Sequence, residues 1–146
     1  MSSTHSPLSG VIVTGGASGI GLACAEALAV AGRPVAIWDL RAADAGQVAQ
    51  SITQRFGVPG VGIGIDLAST DGIAAATAAT RAALPSIGGL VHAAGVSMAI
   101  PLAELEVAQW DTVLNVNLRA LPFIVQAIRA DLAAAPGGAV VGIASI

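Results

Sequence analysis

The sequence predicts an α/β fold built on a doubly wound parallel sheet. Three observations carry that reading. Five short apolar runs are each bounded by glycine, proline or polar residues, as strands are. Longer segments with helical spacing lie between them, and strict alternation of strand and helix joins parallel strands through right-handed crossovers, with helices on both faces. At 146 residues the chain fits one domain with a sizeable core.

The first strand is expected over Val11–Thr14, a β-branched run that stops at a cluster of glycines. The helix after it has an apolar stripe of Ile20, Ala23, Cys24, Ala27, Leu28 and Ala31. Cys24 on that stripe reads as a buried, inert thiol. Val35–Asp39 is the second strand, and Val48, Ile52 and Phe56 mark the sheet-facing side of the next helix. Val61–Asp66 is the third strand, followed by an alanine-rich helix in "GIAAATAATRAAL". Leu90–Ala94 is the fourth. A long helix from about Ala108 to Ala134 carries Trp110, Leu114, Leu118, Phe123 and other apolar residues around its girth. Pro122 is expected to kink it by removing the bond to the carbonyl of Leu118. Ala139–Ser145 is the fifth strand, an apolar edge in a sheet ordered 3-2-1-4-5. An uncovered edge and an apolar helix together predict self-association.

Composition excludes several classes of function. With 10% charged residues and a net charge of −3 there is no basic footprint for nucleic acid. A single cysteine rules out an internal disulfide and points to a reducing, cytoplasmic compartment. The N-terminus lacks the basic region and apolar core of a signal peptide. A mean hydropathy of +0.81 and the uncharged segment 82–103 raise the question of a membrane span. Pro85, Gly88, Gly89, Gly95 and Pro101 would break such a helix repeatedly, so no membrane segment is expected. The segment reads instead as a strand buried on both faces, with its flanking turns. No metal site is expected.

Gly15, Gly16, Gly19 and Gly21 stand at the first strand-to-helix turn, on the edge of the sheet where doubly wound folds bind ligands. Unpaired N–H groups and the positive dipole end of the helix favour an anion there, and missing Cβ atoms let a pyrophosphate approach. The chain therefore reads as a Rossmann-type dinucleotide-binding domain, although its spacing, Gly15-x-x-x-Gly19-x-Gly21, departs from the literal G-x-G-x-x-G. Asp39 ends the second strand twenty residues beyond Gly19, where a carboxylate accepts bonds from the adenosine ribose. It would also repel a 2′-phosphate: like charges near 4 Å cost about 1 kcal/mol in water and about 4 kcal/mol at an effective dielectric of 20. NAD is favoured over NADP. Arg41 is either a solvated surface arginine or a group able to swing towards a 2′-phosphate.

The stretch "TGGASGIG" from Thr14 to Gly21 resembles the cofactor signature of the short-chain dehydrogenase/reductase family, in its single-domain branch. Four further matches follow in family order. The resemblance implies that Thr14, Gly15, Ser18, Gly19, Ile20 and Gly21 hold the cofactor phosphates, with Asp39 and Leu40 at the ribose. Asp66 and Leu67 look like the pair beside the adenine, and "HAAG" (92–95) looks like the family's Asn-Asn-Ala-Gly, with Ala93, Ala94 and Gly95 beside the nicotinamide half. "LNVNL" (114–118) resembles the helix motif whose asparagine joins a proton relay, here Asn117, and "GIASI" (142–146) resembles the strand that ends in the catalytic serine, here Ser145.

Two departures matter. His92 replaces an asparagine and reads most simply as a structural residue with satisfied ring nitrogens, proton chemistry being the alternative. The family's Tyr-x-x-x-Lys is absent: the chain has no tyrosine, and its six basic residues are all arginine, whose wide fork is no substitute for an ammonium. Residues 1–146 are accordingly expected to be a single NAD(P)-binding domain, incomplete at its C-terminus and inactive alone. The whole protein is expected to be a homo-oligomeric oxidoreductase moving a hydride between NAD and a secondary alcohol or ketone. The alternatives are a non-catalytic NAD-binding or scaffold module and an NADP-dependent ketone reductase.

Overall fold

The computed structural model describes residues 8–144. Five parallel strands form one sheet in the order β3-β2-β1-β4-β5, as the alternating pattern predicts. In chain order the elements are β1 (Gly10–Thr14), α1 (Gly19–Val30), β2 (Val35–Asp39), α2 (Ala42–Phe56), β3 (Gly60–Gly64), α3 (Ile73–Ala83) and β4 (Ile87–His92). They continue through α4 (Val107–Leu114), a π-helical turn (Asn115–Arg119), α5 (Ala120–Ala134) and β5 (Ala139–Gly142).

Every residue of β1, β2 and β4 is buried, which is what a parallel sheet covered on both faces requires. Side chains alternate between two cores. Ile12, Trp38 and Leu90 pack with Ile124 and Ile128 of α5, while Val11, Val13 and Ile37 pack with Ala25, Ala29 and Ile52 of α1 and α2. The fully buried Trp38 keeps its indole satisfied: Nε1–H donates to Thr80 Oγ1 at 3.0 Å, and that hydroxyl donates to the carbonyl of Ala76 at 2.9 Å.

The structure corrects several local expectations. In α1 the buried face is Gly21, Ala25 and Ala29, one residue on from the stripe read in the sequence, and Ile20 is 62% exposed. Small residues let this helix lie close to the sheet, and Cys24 is half-buried on its flank. β3 ends at Gly64 rather than Asp66, although the N–H of Ile65 still donates to the carbonyl of Asp39 at 2.9 Å. β4 begins at Ile87, so Gly88 and Gly89 belong to the strand and not to a turn before it.

The long helix is not one α-helix with a kink. A π turn at Asn115–Arg119 separates α4 from α5, and the N–H of Ala120 reaches back to the carbonyl of Asn115. Pro122 explains it: its ring has no N–H and crowds the carbonyl of Leu118, so the turn widens ahead of it. Ala120, Ile124 and Ile128 face the sheet, while Trp110, Leu118 and Phe123 are 56%, 63% and 44% exposed. β5 lies at the sheet edge with Val140 and Val141 half exposed. Pairing continues past it, because the N–H of Ile143 donates to the carbonyl of His92 at 3.0 Å. Ser145, expected at this strand's end, lies outside the described residues. Among the described residues, no helix is long and apolar enough to cross a membrane.

Candidate nucleotide-binding site

A cavity of about 420 Å³ opens at the carboxyl ends of β1, β2 and β4. Its wall brings together Gly15, Ser18, Gly19, Ile20 and Gly21 from the first turn, Asp39 and Leu40 after β2, Asp66 and Leu67 after β3, and Ala93, Ala94 and Gly95 after β4. Thr14 is the exception: fully buried, it sits beneath the wall rather than on it. Arg41, Ile65, Val96 and Val116 also line the cavity. Of these, Val116 carried no signal in the sequence, because its place depends on the π turn.

The glycine turn packs backbone on backbone: a Cβ on Gly21 would run into the carbonyl oxygen of Gly15, and one on Gly15 would lie 2.8 Å from the Cα of Ala94. Gly19 has φ +54°, in the left-handed region, and a Cβ there would meet no atom within 4 Å. That side of the turn is open. Among the described residues no side chain caps α1, and its first turn holds no acid. The N–H groups at its start are left for an exogenous acceptor.

Asp39, only 9% exposed, binds the site together. Oδ2 accepts the N–H of Ala17 in the glycine turn at 3.1 Å, and Oδ1 accepts the N–H of Arg41 at 3.1 Å. A carboxylate has about four acceptor positions, so about two remain unused by these N–H groups. Across the cavity Asp66 Oδ1 accepts the N–H of Ala68 at 2.9 Å, and Arg119 Nη2 donates to the carbonyl of Ala68 at 2.8 Å, tying the β3–α3 loop to the π turn.

His92 and Asn117 lie beside the same cavity. Thr14 Oγ1 accepts the N–H of Ala94 at 3.2 Å and stands 2.9 Å from His92 Nδ1, while His92 Nε2 is 3.2 Å from the carbonyl of Val116. A carbonyl only accepts, so Nε2 carries the proton and Nδ1 takes the hydroxyl proton of Thr14. Both nitrogens are committed, which is the structural role expected of this residue. Burial pushes the His92 pKa below the ordinary histidine value, opposed in part by the carbonyls of Val116 and Asn117. Asn117 is exposed, and its amide clamps both backbone polar groups of one residue, Val96. Oδ1 accepts the N–H of Val96 at 2.8 Å and Nδ2 donates to the carbonyl of Val96 at 2.9 Å.

The neutral imidazole fixes a pH response. The unfolded chain takes up a proton at about pH 6.5 and the folded chain only at lower pH, so stability is full above that value and falls as pH drops below it. The denaturation midpoint is expected to fall between pH 7.5 and 5 by more in the wild type than in His92→Asn. An equal fall in both proteins would place the proton elsewhere.

Comparison with known proteins decides the family. The family model for short chain dehydrogenase matches residues 9–146. The chain belongs to the short-chain dehydrogenase family. This short-chain dehydrogenase is 37% identical over 134 residues to D-threitol dehydrogenase of Mycolicibacterium smegmatis, covering 92% of this chain and 51% of that one. It is 30% identical over 134 residues to an NAD-dependent glycerol dehydrogenase of Listeria innocua, with coverage of 92% and 51%. The chain thus spans about half the length of these relatives. A candidate short-chain alcohol dehydrogenase from Sinorhizobium meliloti 1021 superposes with a TM-score of 0.84 at 31% identity, covering 92% of this chain and 53% of that one. L-sorbose reductase from Gluconobacter frateurii, crystallised with NADPH and L-sorbose, shares the fold at a TM-score of 0.82 and 23% identity, with coverage of 88% and 50%.

Proposed function

We propose that this short-chain dehydrogenase contributes the cofactor-binding part of an NAD-dependent oxidoreductase acting on a secondary alcohol or ketone. The uncapped glycine turn facing Asp39 across one cavity carries the reading. When bound, the nicotinamide dinucleotide gives or accepts the hydride. The start of α1 holds the pyrophosphate, the free acceptor positions of Asp39 hold the ribose hydroxyls, and Asp66 and Leu67 flank the adenine. Ala93, Ala94 and Gly95 leave a side-chain-poor wall for the nicotinamide half, and Asn117 fixes the loop beside it. Ser145, by its resemblance, hydrogen-bonds the substrate oxygen. The proton-transferring tyrosine and its lysine are not among these 146 residues, so in this reading the full-length protein supplies them from elsewhere.

Relatives named for threitol and glycerol favour a small polyol as the substrate class. The exposed apolar residues of α4, α5 and β5 support a homo-oligomer, and the lone cysteine supports a cytoplasmic setting. One observation favours a second reading, a non-catalytic nucleotide-binding module: the chain holds neither tyrosine nor lysine.

Absorbance of NADH separates the two. The full-length protein is expected to reduce NAD with small secondary alcohols, and residues 1–146 alone to give nothing above background. A full-length protein that binds NAD yet turns over no alcohol or ketone supports the module, and turnover by the 146 residues alone would contradict both readings.

A further inference from the structure

Among the described residues lining the cavity, Arg41 is the one cation, and it stands at the end assigned above to the adenosine ribose. A free guanidinium there would suit a 2′-phosphate, because its planar fork grips phosphate through two neighbouring N–H groups. This guanidinium is not free. Nη1 lies 3.0 Å from Asp44 Oδ2, one turn into α2, and Nε lies 3.7 Å from Asp39 Oδ1. One edge of the fork is therefore occupied, with Nη1 paired to Asp44, while Nε on the other edge faces Asp39 in a longer charge contact. Asp39 has to be where it is, since its two oxygens hold the N–H groups of Ala17 and Arg41. Asp44 has no such duty. It lies off the cavity wall, 43% exposed, and its side chain reaches back to Arg41.

We propose that Asp44 is a positioning residue for cofactor selectivity, acting through Arg41: it occupies the edge of the guanidinium that would otherwise close on a 2′-phosphate. The inference rests on the dinucleotide reading of the cavity. The two carboxylates outweigh the one guanidinium, so the ribose end keeps a net negative charge that a 2′-phosphate must approach. Removing the charge of Asp44 does two things at once. It brings the trio to neutrality, and it releases Nη1 beside Nη2 as a complete edge.

Calorimetric titration of the full-length protein with NAD and with NADP tests this on four chains: wild type, Asp44→Asn, Asp44→Glu, and Asp44→Asn combined with Arg41→Gln. For an exposed pair, Asp44→Asn is expected to tighten NADP about two- to fivefold while NAD changes by less than about 1.5-fold. Asp44→Glu should keep the wild-type ratio, and the double variant should lose the gain. Asp44 is exposed and outside both cores, so the fold survives the change, which circular dichroism checks. A ratio unmoved by Asp44→Asn, or a gain that persists without Arg41, overturns the inference while leaving NAD binding intact. A wild type that binds neither nucleotide overturns the dinucleotide reading itself.

Discussion

Gly21→Ala is expected to weaken nucleotide binding about ten- to a hundredfold while leaving the sheet folded. The added methyl has no flexible neighbour to push aside: it meets the carbonyl oxygen of Gly15 and the Cα of Gly16, which are backbone. The glycine turn and the first turn of α1 must then separate. Losing one backbone N–H bond to a charged phosphate costs about 1.5–3 kcal/mol, roughly a factor of ten to a hundred. The sheet itself is spared, because β1 ends at Thr14 and its register with β2 and β4 does not run through Gly21. Titration calorimetry reads the affinity and far-ultraviolet circular dichroism the fold. Unchanged affinity in a folded Gly21→Ala protein would mean that the ligand does not sit on this turn.

Asn117→Ala should act on turnover and not on cofactor affinity. The amide of Asn117 satisfies both the N–H and the carbonyl of Val96, holding the irregular segment after β4 to the π turn. Without it the two groups turn to water and the segment loses its register against the helix. If the full-length protein turns over as proposed, kcat is expected to fall about a hundredfold, with the dissociation constant for NAD changed less than about threefold. Asn117→Asp keeps the acceptor for the N–H of Val96 but loses the donor to its carbonyl, so it should fall between. A variant that loses NAD affinity and kcat equally would show that Asn117 merely supports the fold.

How much of this was legible in the residues varies by element. β2 was readable to the residue, Val35–Asp39, because a β-branched run there is bounded by Pro34 and by the charge at its end. The face of α1 was not, since nearly every residue of that helix is apolar or alanine and periodicity has nothing to choose between; the choice falls to Gly21 packing on Gly15. Gly88 and Gly89 resemble a turn until the strand beside them is known. The π turn needs both Pro122 and the packing of α5 on the sheet, so a sequence pattern shows only that the helix is disturbed. In the site, glycine spacing and Asp39 pointed to the first turn and the end of β2, while Asp66, Leu67, Ala93, Ala94 and Gly95 came from the family resemblance. The partners of His92 did not show: Thr14 and Val116 are 78 and 24 residues away along the chain. Nor did the grip of Asp44 on Arg41, because spacing alone cannot say whether an arginine near a ribose is bound or free.

Nucleotide preference is the most direct test of the proposed dinucleotide site. Calorimetric titration of the full-length wild-type protein should give NAD an affinity at least about tenfold tighter than NADP, since in the proposed reading a 2′-phosphate would meet the carboxylate of Asp39. Asp39→Ala should narrow that gap by weakening NAD and relieving the repulsion of NADP. Equal or tighter binding of NADP by the wild type would contradict the assignment of Asp39 and make Arg41 a phosphate ligand.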